Sequence, residues 1–288
     1  MSDLFAENVN GIRICYEVKG EGEPVLLVHG FGDRKEHWRA QFIELSEHFK
    51  VIRFDNRGAG KSDRPDVVYT MELLADDINS LLDYLKIKKT HIIGHSLGGM
   101  IVQNFALKYP NRINKIVLIN TIAGMTPPGI PPDQGVEIYK RNAIAGIKAR
   151  QKDPLNNFLA GAKHSYSRGF WKQMNDDPKK KFYNIWSVED LVEEKTLYGP
   201  TENDIIHQTE ALASHNTYER LHEIKHEVLI IAADKDKSCP KLMNEKIHEL
   251  LPNSEFIVIE NAAHQSILEY PHIINRHIIK FLKSKNKI

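Results

Sequence analysis

Short apolar runs alternate with longer amphipathic stretches over the first 120 residues. Val25–Val28, Val51–Phe54, His91–Ile93 and Ile116–Ile119 are brief, rich in β-branched residues and bounded by Gly, Asp or Asn. They predict buried strands. Between them apolar residues recur every three or four positions, as in Trp38, Phe42, Leu45 and Phe49, then Met71, Leu74, Ala75, Ile78, Leu81, Leu82 and Leu85. That is the period of an amphipathic helix. Residues 97–109 predict a third helix, stopped by Pro110. Strands alternating with helices predict a parallel sheet covered on both faces. Upstream, residues 12–18 alternate apolar with polar, the pattern of an antiparallel edge strand.

The pattern breaks after Asn120. Residues 121–132 contain four prolines and two glycines, which is loop chemistry. Residues 133–200 are irregularly helical and offer no strand. They carry Phe158, Tyr166, Phe170, Trp171, Phe182, Tyr183 and Trp186. The region predicts a helical insertion over 122–205 between two parts of one core, 1–121 and 206–288. Its aromatics suit the insertion's own core first and a pocket lining second. Asp176–Pro178 followed by Lys179–Lys181 reads as a solvated turn and helix face. Regularity then returns with strands at Val228–Ile231 and Phe256–Ile259. Pro240 opens a helix through Leu251, and Pro271 opens another with Ile274, Ile278, Phe281 and Leu282 on one face.

The 288 residues carry a net charge of +1, which supplies no attraction to nucleic acid or to an anionic membrane. No run of apolar residues is long enough to span a membrane. The N-terminus shows no basic segment followed by an apolar one, so no signal peptide is expected. Cys15 and Cys239 match no metal spacing and no disulfide framework, which fits a reducing, cytoplasmic setting.

Gly94-His95-Ser96-Leu97-Gly98 follows a predicted strand and opens a predicted helix. A serine on such a turn projects its hydroxyl beside a helix N-terminus. The sequence context, more than the five-residue match, makes Ser96 a candidate nucleophile. A serine needs a base, and the base needs an orienting acid. With fourteen histidines, residue type decides nothing. His264 lies just after the strand ending near Ile259, and Asp234 and Asp236 follow the strand ending near Ile231. All three sit at carboxyl ends of strands, where open parallel sheets place their sites. The residues alone leave Asp234 and Asp236 equal. The backbone amides of Phe31, in His29-Gly30-Phe31-Gly32, and of Leu97 are candidate oxyanion donors. His29 reads as structural. Gly60-Lys61-Ser62 echoes a phosphate loop, but Asp55 stands where its first glycine would be, so nucleotide binding is not expected. Cys239 reads as a small buried residue.

These segments together resemble the α/β-hydrolase superfamily, in its serine-nucleophile branch. The oxyanion segment at 29–32, the loop Asp55-x-Arg57-Gly58-x-Gly60-x-Ser62, the elbow at 94–99 and the histidine loop Asn261-Ala262-Ala263-His264, with Glu269 and Pro271 behind it, all look like that family's. Ala262 and Ala263 stand where it often has Gly or Cys. In the family the acid typically stands four residues before a proline, and that spacing to Pro240 selects Asp236. The resemblance covers residues 10–121 and 215–283. It implies an α/β fold: a mostly parallel central sheet of about eight strands, helices on both faces, and a helical cap after strand six.

A serine argues against dehalogenases and epoxide hydrolases, which use aspartate there. The oxyanion segment matches neither the Gly-Gly-Pro-Gly of prolyl aminopeptidases nor the Gly-Pro-Gly of carbon–carbon bond hydrolases. Carboxylesterases, lactonases and cofactor-free perhydrolases remain. The expected function is hydrolysis of a carboxylic ester, or related acyl bond, of a small apolar substrate by Ser96, His264 and Asp236. It needs no metal or organic cofactor. Histidine side chains titrate near about 6.5, so turnover by this scheme falls in acid. Two alternatives share the motifs: a small-molecule receptor with little turnover, and a perhydrolase in which hydrogen peroxide replaces water.

Overall fold

The computed structural model describes residues 2–125 and 135–285. Most of the proline-rich loop expected at 121–132 lies outside them. Eight strands form one sheet: β1 (Leu4–Val9), β2 (Ile12–Lys19), β3 (Pro24–Val28), β4 (Lys50–Phe54), β5 (Thr90–His95), β6 (Ile113–Ile119), β7 (Glu227–Ala233) and β8 (Ser254–Ile259). Their order is β1-β2-β4-β3-β5-β6-β7-β8. From β4 to β8 every pairing is parallel, while β2 runs antiparallel to both β1 and β4.

The strand expected at the edge, over residues 12–18, is β2, and β1 lies outside it. β1 lacks simple alternation because its register shifts between Ala6 and Val9. Its buried residues are consequently three apart rather than two. Such a bulge hides a strand from a period-two reading.

The apolar runs of the parallel strands have a direct cause. Leu26 and Val28, Ile116 and Leu118, and Val228 and Ile230 face one hydrophobic core. Val25 and Leu27, Val117 and Ile119, and Leu229 and Ile231 face the other. With helices on both sides, successive positions all lose water. α2 (Met71–Tyr84), α3 (Leu97–Lys108) and α9 (Lys241–Leu250) cover the first face through Leu74, Ile78, Ile101, Phe105 and Ile247. α1 (Arg39–Leu45) and α11 (Pro271–Lys283) cover the second through Phe42, Leu45, Ile274 and Ile278. Burying one such side chain is worth about 1.5–3 kcal/mol.

Between β6 and β7 lie α4 (Gly135–Lys152), α5 (Pro154–Ser165), α6 (Arg168–Asp176), α7 (Val188–Tyr198) and α8 (Glu202–Ser214). The helical stretch therefore runs past residue 205, where the sequence reading ended it. Thr201 and Asp204 form a capping box that starts α8, as Ser187 and Asp190 do for α7. Phe170, Phe182, Trp186 and Tyr166 pack ring against ring in the interior of this segment. A short helix, α10 (Ser266–Glu269), follows the loop after β8. Among the described residues no helix is long and apolar enough to cross a membrane.

Candidate active site

The carboxyl ends of β5, β6, β7 and β8 converge on Ser96. Its backbone takes φ 55° and ψ −123° between strand and helix. That conformation is costly for a residue with a side chain, and surrounding contacts enforce it. The Ser96 N–H donates to the Ile119 carbonyl at 3.0 Å, and the Thr121 hydroxyl donates to the Ser96 carbonyl at 2.7 Å. The turn is tight enough to demand glycine on both sides. A Cβ on Gly94 would lie 2.4 Å from the Gly98 carbonyl oxygen, and one on Gly98 only 2.0 Å from that of Val28.

His264 Nε2 lies 3.0 Å from Ser96 Oγ, and His264 Nδ1 lies 2.8 Å from Asp236 Oδ2. Asp236 Oδ1 accepts from the amides of Ser238 and Cys239 at 2.8 and 2.9 Å. Its carboxylate is thus buried, oriented and fully engaged. Asp234 instead pairs with Lys235 at 2.7 Å. Of the two carboxylates, it is Asp236 that lies against His264. The amides of Phe31 and Leu97 have no hydrogen-bond partner among the described residues, whereas the next amide, Gly32, donates to Gln208 Oε1 at 2.8 Å.

Three side chains hold these groups through contacts the sequence does not reveal. His95 Nε2 lies 2.9 Å from the His264 carbonyl oxygen, to which it donates. Asn120 Nδ2 donates to the same oxygen at 2.9 Å and to Ser266 Oγ at 2.9 Å. Burial, with the His264 ring centred 4.9 Å away, keeps the His95 pKa well below the ordinary imidazole value, so it stays a neutral donor. Glu269 is buried and accepts from Ala263 N at 2.9 Å and Ser167 N at 3.1 Å. It therefore joins the histidine loop to the inserted helices.

The remaining candidates take structural places. His29 accepts from Asn56 N at 3.0 Å through Nε2 and donates to the Gly30 carbonyl through Nδ1 at 2.9 Å. Burial pulls its pKa down, consistent with a neutral ring. Asp55 fills its own loop, accepting from Lys35 N at 2.7 Å and Lys61 N at 2.9 Å. No cradle for phosphate is left there. Cys239 is buried. Asp236, Cys239 and His264 bring potential ligand atoms within 4.8 Å of one another. Burial raises the thiol well above its usual range, and His264 and Asp236 already bond each other. A second such group, Asp3, Glu17 and Glu36, already surrounds the Lys35 ammonium at 2.7, 3.7 and 2.5 Å.

A strand-turn-helix serine facing a histidine and a carboxylate, above a mostly parallel sheet, defines a class of enzyme. The α/β-hydrolase fold family model matches residues 23–271, and the chain belongs to that family of hydrolases. A putative carbamate hydrolase, RutD, from Caulobacter segnis is 30% identical over 94% of this chain and 96% of its own length. A putative 2-succinyl-6-hydroxy-2,4-cyclohexadiene-1-carboxylate synthase from Bacillus subtilis is 27% identical over 96% of each chain. The crystal structure of an enol-lactonase from Burkholderia xenovorans superposes with a TM-score of 0.81 at 22% identity, over 98% of this chain and all (100%) of that one.

Proposed function

We propose that this chain hydrolyses a carboxylic ester or related acyl bond of a small substrate through an acyl-enzyme on Ser96. The observation that carries the reading is the continuous hydrogen-bonded line from Ser96 Oγ through His264 to Asp236, at 3.0 and 2.8 Å. His264 Nε2 takes the hydroxyl proton as Oγ bonds to the acyl carbon. Asp236 accepts from Nδ1–H throughout, fixing the tautomer and stabilising the imidazolium. The carbonyl oxygen gains negative charge where the Phe31 and Leu97 amides can donate to it. The imidazolium then protonates the leaving oxygen as its bond to carbon breaks. Water repeats the sequence, giving its proton to His264 and its oxygen to the acyl carbon, and Ser96 is released. The scheme calls for no cofactor. A relative named as a carbamate hydrolase supports hydrolysis at an acyl carbon.

A series of p-nitrophenyl esters of rising acyl length tests this. Steady turnover is expected, with kcat/KM falling by at least about three orders of magnitude in Ser96→Ala while the far-UV spectrum is kept. Wild-type rates in that variant would overturn the assignment. A single slow turnover in the unaltered protein would identify a receptor instead.

A further inference from the structure

A cavity of about 380 Å³ adjoins the oxyanion segment. Phe31 and Gly32 form part of one wall, with Gln265, the residue after the base, nearby. One face of α4 forms another: Tyr139, Asn142, Gly146 and Arg150 recur at helical spacing along it. Tyr139 meets the Phe31 ring edge to face at 4.9 Å.

Among the described residues, the charges lining this cavity are matched with one exception. Arg39 pairs with Glu194 at 2.5 Å, Lys195 lies 3.7 Å from Asp33, and Arg34 pairs with Glu36. His37 lies 3.6 Å from Asp33, and burial lowers its pKa to about 4, so it adds no cation at neutral pH. Arg150 has no carboxylate partner among the described residues. Its Nη2 donates to the Pro200 carbonyl at 3.2 Å. The Pro200 ring in turn lies 3.7 Å from where a Gly32 Cβ would stand, so the guanidinium is one residue removed from the oxyanion segment. Burial pulls its pKa down, the mark of a cation deprived of water without an anion in exchange. Asn142 and Asn157 lie in the same lining. Leu191 and Leu268 supply apolar surface.

We propose that this cavity receives the carboxylate end of the substrate, and that Arg150 is the specificity-determining residue that binds it. The substrate class is an acyl compound with an apolar body and a carboxylate, such as the half-ester of a small dicarboxylic acid. A guanidinium offers two parallel N–H donors to a carboxylate. This rests on the hydrolase reading above and names its substrate.

The test uses p-nitrophenyl half-esters of succinate, glutarate, adipate and suberate against the same chains capped as methyl esters. The readout is the ratio of kcat/KM between the carboxylate and capped members of each pair. At the best chain length it is expected to favour the carboxylate by at least about tenfold. It should collapse towards one in Arg150→Gln and recover in part in Arg150→Lys. No preference in the wild type, or a preference kept in Arg150→Gln, would overturn the proposal. Calorimetry of monomethyl adipate binding to Ser96→Ala, with and without Arg150→Gln, separates the two readings. Arg150-dependent binding without turnover of any ester sinks the hydrolase reading and keeps this one. Turnover with Arg150-independent binding does the reverse.

Discussion

At the scale of single residues, the site depends on where oxygen and nitrogen atoms are fixed more than on which residue types are present. Asp236 differs from Asp234 in its partners. One carboxylate accepts from His264 and two amides, while the other faces Lys235. Asp236→Asn is expected to lower kcat by about 10³- to 10⁴-fold, because an amide no longer enforces the productive tautomer. Asp234→Asn should stay within a few-fold of wild type. Ester kinetics on the two variants checks this, and the opposite ranking would move the acid to Asp234. Ser96 was legible because a strand, a turn and a helix frame it in sequence. His264 was legible from its place after the last strand, and the choice of acid came only from family spacing to Pro240. Asn120 and His95 were not legible. Asn120 at a strand end, with φ 45°, reads as a turn former, and its partner is 144 residues away. His95 looks like one more buried strand position until its ring nitrogen is seen on the His264 carbonyl.

Elements set the tolerances within which those atoms act. α3 packs against β3 so closely that Gly98 has no room for a methyl group. Gly98→Ala pushes the helix away from Val28, and the Leu97 amide and Ser96 move with it. We expect a loss of about 1–3 kcal/mol in stability from overpacking. Loss of a well-placed oxyanion donor should lower kcat/KM by more than about tenfold as well. Gly169→Ala, where nothing lies within 4 Å of the added carbon, is the control. It should be neutral or slightly stabilising, and chemical denaturation with ester kinetics compares the two. The parallel strands were readable because both their faces are dry, which leaves continuous apolar runs. β1 was missed because its bulge breaks the alternation that marks a strand. The inserted helices were readable as a class but not in their limits. Capping boxes such as Thr201 with Asp204 set those limits, and they stand out less in a sequence than an apolar stripe does.

For the molecule as a whole, burial of neutral imidazoles makes folding sensitive to mild acid. His215 accepts from Asn104 through Nδ1 and donates to the Ile122 carbonyl through Nε2, both at 3.1 Å. Burial holds its pKa, like that of His37, at about 4. In the unfolded chain such a group titrates near about 6.5. Between those values the unfolded state binds a proton that the folded state refuses. Stability is therefore full above that window and falls as pH drops, on the order of 1.4 kcal/mol per pH unit for each group. Urea titrations from about pH 7 to about pH 5 should show a shallower loss in His215→Gln than in wild type, by one group's worth of slope. Equal slopes would refute it. Glu269 has a different kind of consequence. One carboxylate holds an amide of the histidine loop and an amide of the insertion, 102 residues apart in sequence for Ser167. The insertion is therefore not a detachable module. A chimaera carrying another hydrolase's helices over this sheet would inherit a buried carboxylate, five residues after His264, with one of its two amide partners gone, unless the graft also carried an amide to the place of Ser167.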